Sequence, residues 1–392
     1  MAFIERKILR LRVENALRTN PIAVLQGPRQ CGKTTLARSF RVPEENYFDM
    51  DDPLDQIRLE DNARSMLGDL TGIVVIDEAQ RSPELFPILR VLADRQETPA
   101  RFLLLGSSSM LLMQHVSETF AGRAEFIDMG GLSLGEVGSE QWENLWMKGG
   151  FPRSFQQDAS ALKWRLDYIQ QFIGRDLRQL ADTKMTDRQV RRLIEFIAAS
   201  SGRAWNNSQA ASVIGVNYKT IQRHLEILRS AFLIRELPVL HENIHKRLRK
   251  ASTIYLRDSG LIHALLQIGT HHQLLAHPSL GSSWEGFALE QVVAHLGLTE
   301  EECYTWSVRS GAEMDLVFRR GGQLYGIEFR HAEAPRTTRS FTMAFEALQL
   351  KAAAIIHRGP KTWRLAENRF AISIQSLDQL HSTLGLDDGQ VE

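Results

Sequence analysis

The stretch Gly27-Pro28-Arg29-Gln30-Cys31-Gly32-Lys33-Thr34 has the residue types and spacing to cradle a phosphate chain. Its two glycines let backbone N–H groups converge on phosphate oxygens, and a helix starting at Lys33 would add its positive dipole end. Lys33 would reach the β- and γ-phosphates, Thr34 would give an oxygen to Mg²⁺, and Thr35 completes the binding stretch. Asp77 and Glu78 follow the apolar run Ile73-Val74-Val75-Ile76. Asp77 would hold Mg²⁺ through water, and Glu78 would orient and polarise an attacking water. Ser107 ends another apolar run, where it either bonds the γ-phosphate or water, or caps the next helix. Arg123 follows a Gly on a loop and reads either as an arginine finger lent to a neighbouring subunit or as a surface arginine. The expected ligands are ATP and Mg²⁺.

These groups need a scaffold that brings distant residues to one edge. Before the phosphate-binding stretch lies Ile22-Ala23-Val24-Leu25-Gln26, short and β-prone, and after it Thr35-Leu36-Ala37-Arg38-Ser39-Phe40 reads as helix. Residues 3–18 carry Leu9, Val13, Ala16 and Leu17 at helical spacing. Asn46-Tyr47-Phe48-Asp49-Met50 reads as a second strand, followed by acids to Asp52. Continuous apolar runs such as 73–76 and 102–105 imply strands buried on both faces. Strands alternating with helices predict an α/β fold with a parallel sheet and the nucleotide at the carboxyl ends of its strands.

The order of phosphate-binding loop, Asp-Glu strand, polar strand tip and loop arginine resembles the AAA-type ATPases. The chain is similar to a prokaryotic AAA-type family with a C-terminal domain of unknown function. The matching stretches are the loop itself, IDEAQ at 76–80, LLLGSSSMLL at 103–112, FAGRAEFIDMGGLSLGEV at 120–137 and GGFPRS at 149–154. Further on they are YLRDSGL at 255–261, SSWEGFALEQ at 282–291 and SGAEMDLVF at 310–318.

Gly149-Gly150-Phe151-Pro152 breaks the chain and opens a second domain. A long amphipathic helix is expected over 160–182. Thr186-Asp187-Arg188-Gln189 has capping-box form before a helix bearing Val190, Leu193, Ile194 and Ile197. A short helix from Ser208, the turn at Gly215 and a helix capped by Asn217 read as helix-turn-helix. Two β-prone runs, 232–237 and 253–256, flank the basic tip Lys246-Arg247-Leu248-Arg249-Lys250 and complete a winged helix. On DNA, Tyr218, Lys219, Gln222 and Arg223 would face the major groove, with Lys246, Arg247, Arg249 and Lys250 on phosphates. The alternative is a lid or assembly module.

The helix from Trp284, three strands, a helix over 338–350 and a strand over 352–356 follow the core order of the restriction-endonuclease-like fold. In active members of that fold an Asp and a Glu hold Mg²⁺ and a nearby Lys orients water. Here Asp315 and Glu328 match, as a possible second metal site, but Arg330 stands where the lysine belongs. Arginine is never deprotonated and substitutes poorly at a nucleophilic water. A domain that keeps the shape to bind DNA or a subunit is therefore favoured over a nuclease.

The 392 residues predict an ATPase domain over 1–148, a helical and winged-helix domain over 149–275, an endonuclease-like domain over 276–385 and a tail. Lys plus Arg balance Asp plus Glu at 47 each, so any nucleic-acid surface must be local. Cys31 and Cys303 do not suggest a disulfide framework. No apolar run spans a membrane and no leader is visible, so a cytoplasmic protein is expected. The combined reading is an ATP-hydrolysing DNA motor, assembled as a homo-oligomeric, hexameric ring. Its rivals are an ATP-gated DNA-binding regulator, an ATP-gated Mg²⁺ nuclease and a protein-remodelling ATPase.

Overall fold

A computed structural model describes residues 3–60, 62–95, 100–107, 119–157, 161–180, 185–240, 251–308 and 311–386. The chain forms two compact units, one essentially 1–131 and the other essentially 132–392. In the first, α1 (Lys7–Thr19) precedes β1 (Ile22–Gln26), and α2 (Lys33–Ser39) follows it. Then come β2 (Tyr47–Asp49), α3 (Pro53–Glu60), α4 (Ala63–Asp69), β3 (Gly72–Asp77), α5 (Leu85–Ala93), β4 (Ala100–Gly106) and β5 (Ala124–Asp128). The strands lie in the order β2-β3-β4-β1-β5, and every pairing is parallel.

Alternation along the strands explains this sheet. Ile22, Val24, Val74, Ile76, Phe102 and Leu104 enter one core with Phe48, Phe86 and Leu89. Ala23, Leu25, Val75, Leu103 and Leu105 enter the opposite core with Val13, Leu36 and Ile127. Each large apolar side chain buried this way contributes about 1.5–3 kcal/mol, so helices must cover both faces. The strand order brings the carboxyl ends of β3, β4 and β1 side by side.

In the second unit a short helical turn, Leu134–Val137, precedes α6 (Trp142–Lys148), and another short helix, Pro152–Gln156, lies between α6 and α7 (Ala161–Gln171). The single helix expected over 160–182 is interrupted: a π-helical stretch, Phe172–Asp176, separates α7 from a final turn, Leu177–Leu180. Apolar spacing alone does not register the wider winding, which here includes Gly174. Next are α8 (Asp187–Ser200), α9 (Asn207–Ile214), α10 (Tyr218–Ser230) and the antiparallel pair β6 (Ile234–Leu237) and β7 (Thr253–Leu256). Thr186 and Gln189 make the expected capping box. Gly215 ends α9 in the left-handed conformation (φ 81°), and Asn217 Oδ1 accepts from the Thr220 N–H at 2.8 Å.

The chain then builds α11 (Leu280–Leu296), β8 (Tyr304–Ser307), β9 (Glu313–Arg320), β10 (Gln323–Arg330), α12 (Arg339–Ala347), β11 (Ala352–His357), β12 (Trp363–Ala366) and β13 (Arg369–Ser373). The sheet order is β12-β13-β11-β10-β9-β8. Gly321 and Gly322 both take positive φ in the tight turn between β9 and β10. Glu290 on α11 is half-buried between Arg235 and Arg257. Burial alone would raise its carboxyl, but the two guanidiniums hold it below the ordinary range.

Candidate phosphate-binding site

The loop after β1 is tightly seated. A Cβ at Gly27 would stand 2.1 Å from the Met129 carbonyl oxygen, so no side chain fits there. Gln30 and Gly32 take positive φ, 62° and 106°. Arg6, 7% exposed, donates to the carbonyls of Cys31 (3.3 Å), Gly130 (2.9 Å) and Gly131 (2.7 Å), tying the loop to the segment after β5. Lys33 is buried, and its ammonium donates to the carbonyls of Gly27 (2.9 Å) and Pro28 (3.0 Å). The lysine therefore folds over the loop that would hold phosphate.

At the end of β3, Asp77 gathers donors from three elements. Its Oδ2 accepts from the Thr34 hydroxyl (2.7 Å) and the Tyr47 phenol (2.7 Å), and its Oδ1 accepts from the Glu78 N–H (3.0 Å). Burial and the Asp77 carboxylate push the Tyr47 phenol well above its ordinary range, so it stays a donor. Arg38 lies over the Tyr47 ring, 5.6 Å from its centre. Thr34 and Arg38 are four residues apart and share one face of α2.

Glu78 holds a left-handed backbone, φ 50° and ψ 41°, uncommon for a residue with a side chain. That turn leaves its carboxylate beside Ser107 at the tip of β4. Ser107 Oγ donates to Glu78 Oε2 at 3.2 Å. Gln80 donates to the same Glu78 oxygen and to Ser107 Oγ at 3.2 Å. The residues singled out for phosphate and water chemistry, from Gly27 to Thr35 with Asp77, Glu78 and Ser107, thus stand at three adjacent strand ends. Tyr47, Gln80 and Arg6 were not anticipated. The clue for Tyr47 was its place two residues before the end of a short strand, on the face that Asp49 shares.

Thr34 and Asp77 offer hard oxygen donors within 2.7 Å of each other, which suits Mg²⁺. Arg123 stands elsewhere: its carbonyl accepts from the N–H of Ile22, the first residue of β1, at the edge opposite the loop. Its guanidinium pairs with Asp94 at the end of α5, which holds the Asp94 carboxyl below its usual range.

In the second unit, Tyr218, Lys219, Gln222 and Arg223 form the exposed face of α10, opposite Ile221, Leu225 and Leu228. Lys246, Arg247, Arg249 and Lys250 lie outside the described residues. Asp315 and Glu328 lie on neighbouring strands, and Asp315 Oδ2 accepts from the Phe329 N–H at 2.8 Å. Arg330 reaches over the buried Glu328 and pairs with it. Burial, then Glu285 and Glu328, raise Asp315 well above the carboxylate range, and burial raises Glu285 to about 7. Among the described residues, no group of three or more His, Cys, Asp or Glu is arranged to hold a metal ion. No helix among them is long and apolar enough to cross a membrane.

Residues 19–138 match a family model described as an AAA domain. Residues 139–272 and 280–377 match two domains of unknown function, DUF8612 and DUF4143. The uncharacterized proteins Rv2008c of Mycobacterium tuberculosis and Mb2031c of Mycobacterium bovis are each 39% identical over 388 residues, covering 98% of this chain and 86% of theirs. Among solved structures, the Walker-type ATPase PABY2304 of Pyrococcus abyssi is similar at 17% identity and a TM-score of 0.47, over 67% of this chain and 96% of that one. With the loop, the acidic strand end and the parallel sheet in place, the chain belongs to the family of these two mycobacterial proteins, built on an AAA-type P-loop domain followed by domains of unknown function.

Proposed function

We propose that the protein binds ATP with Mg²⁺ at the ends of β1, β3 and β4, hydrolyses it to ADP and phosphate, and uses the cycle to drive a ring-shaped DNA motor. The observation that carries the ATPase reading is the meeting of Thr34 with Asp77 beside the linked Glu78 and Ser107. Backbone N–H groups of the loop bind the phosphates, and Lys33 leaves its carbonyls for the outer phosphate oxygens. Bound Mg²⁺ would neutralise charge on the β- and γ-oxygens, held through Thr34 and Asp77. Glu78 accepts a proton from the water that attacks the γ-phosphorus in line with the leaving oxygen. Ser107 and Gln80 keep that carboxylate from swinging away.

Arg123 cannot serve its own loop, since five residues of β1 separate the two and span about 17 Å at the usual rise per strand residue. In this reading it leaves Asp94 and serves the neighbouring protomer. DNA is the proposed track because the exposed face of α10 follows a helix–turn–helix and carries Lys219 and Arg223. Arg330, paired with Glu328, favours a grip on nucleic acid over cleavage at Asp315 and Glu328.

The test compares wild type with Glu78→Gln in Mg²⁺ and ATP, with and without branched or linear DNA. Turnover is expected to fall by about two orders of magnitude or more, the usual yield of a positioned base, while ATP binding and ATP-dependent DNA binding persist. Undiminished turnover in the variant would remove Glu78 from the mechanism. ATP-dependent DNA binding without strand displacement by wild type would replace the motor with a switch.

A further inference from the structure

We infer that Tyr47 is a positioning residue for the divalent cation, acting through Asp77 and coupling it to α2. This rests on the ATP–Mg²⁺ reading above. The Tyr47 phenol and the Thr34 hydroxyl donate to the same carboxylate oxygen, each at 2.7 Å. The Glu78 N–H occupies the other oxygen at 3.0 Å. Three donors from three elements, β2, α2 and the end of β3, hold the carboxylate by both of its oxygens.

Loss of the Tyr47 donor would leave Asp77 Oδ2 held by Thr34 alone. Thr34 can donate to the carboxylate while giving a lone pair to the cation, but one donor leaves Oδ2 free to pivot about that bond, and the Tyr47 donor opposes the pivot. The Tyr47 phenol donates to Asp77, and Tyr47 lies on the strand beyond β3, away from β1. Its removal therefore affects the cation and spares the phosphates. The reach is set by register: Tyr47 pairs with Val75, and its ring extends along the strand direction to Asp77, two residues on. Arg38, on the face of α2 that carries Thr34, packs over that ring and limits its swing. The same arginine thus links the orientation of α2 to the cation-holding carboxylate.

The experiment measures the affinity of full-length protein for a fluorescent ATP analogue, first in EDTA and then across a Mg²⁺ titration. It uses wild type, Tyr47→Phe and Thr34→Ala. Tyr47→Phe keeps the ring and its packing and deletes only the hydroxyl. Its affinity in EDTA is expected to equal that of wild type, which also reports an intact fold. The Mg²⁺ concentration at half-effect is expected to rise roughly tenfold, the lower end of what removing a residue behind a metal ligand usually costs. Thr34→Ala is expected to lose the Mg²⁺ effect. If Thr34→Ala loses it while Tyr47→Phe titrates like wild type, the role given to Tyr47 is wrong and the nucleotide site stands. If Thr34→Ala also titrates like wild type, the Mg²⁺ assignment itself fails. If Tyr47→Phe weakens binding equally in EDTA and Mg²⁺, Tyr47 supports the pocket as a whole and the inference is overturned.

Discussion

Single residues carry the chemistry, and their contacts within the chain already constrain it. Lys33 satisfies its ammonium on two carbonyls of its own loop. Exchanging those for phosphate oxygens replaces neutral acceptors with charged ones, worth about 1.5–3 kcal/mol per bond. Lys33→Ala is therefore expected to weaken ATP binding by roughly ten- to a hundredfold, measured by equilibrium titration with a fluorescent analogue. While Ser107 read either as a phosphate or water partner or as a helix cap, the places of Lys33, Thr34, Asp77 and Glu78 at the strand ends were legible from the chain because each has a motif position. Tyr47 and Gln80 were not, because their roles exist only across strands. No spacing within 392 residues shows that a phenol on β2 will meet an acid on β3 until the register Asp49 to Asp77 is known. Arg6 was hidden in the same way, since its carbonyl partners at 130 and 131 are more than a hundred positions distant.

Elements were easier to read than the joints between them. The parallel sheet followed from apolar runs, and its two cores follow from alternation along each strand. Thr186 announced α8 by its capping box. Thr186→Ala is expected to lower the stability of that region by about 1 kcal/mol, read as a shift in the urea midpoint. The π-helical stretch at Phe172–Asp176 escaped notice because its apolar residues keep nearly the same spacing whether the turn is α or π. Gly27 shows an element being seated by a neighbour distant in sequence. Gly27→Ala would drive a methyl into the Met129 carbonyl, so either β5's exit or the loop must move. A loss of about 1–3 kcal/mol is expected by chemical denaturation, together with weakened ATP binding. A variant that binds ATP normally would show the close approach to be tolerated.

For the molecule as a whole, acid sensitivity and assembly are the informative properties. His263 is fully buried, with Nδ1 3.0 Å from the Met147 carbonyl and Nε2 2.7 Å from Ser283 Oγ. Trp146 donates its indole N–H to the same Ser283 oxygen at 3.0 Å. A proton on Nδ1 alone satisfies all of these groups, and burial lowers the imidazole to about 4. Because the folded value lies below the unfolded one, about 6.5, this histidine's contribution is complete above the unfolded value. It is lost as pH falls toward about 4, by at most about 3 kcal/mol. Denaturant midpoints taken from pH 7 to pH 4.5 are expected to fall, and more gently in His263→Gln. Assembly is tested by mixing. Lys33→Ala and Arg123→Ala, each inactive alone, are expected to regain part of the turnover together if Arg123 serves the adjacent copy. A mixture no faster than its components would place the arginine outside the reaction.

Glu78 stands in a backbone shape that suits glycine better than glutamate. The chain therefore gives up some resilience to keep a carboxylate at that corner. A glycine substituted there should yield a protein that withstands more urea yet leaves ATP uncut, so the sturdiest version of this fold and the working one are different sequences.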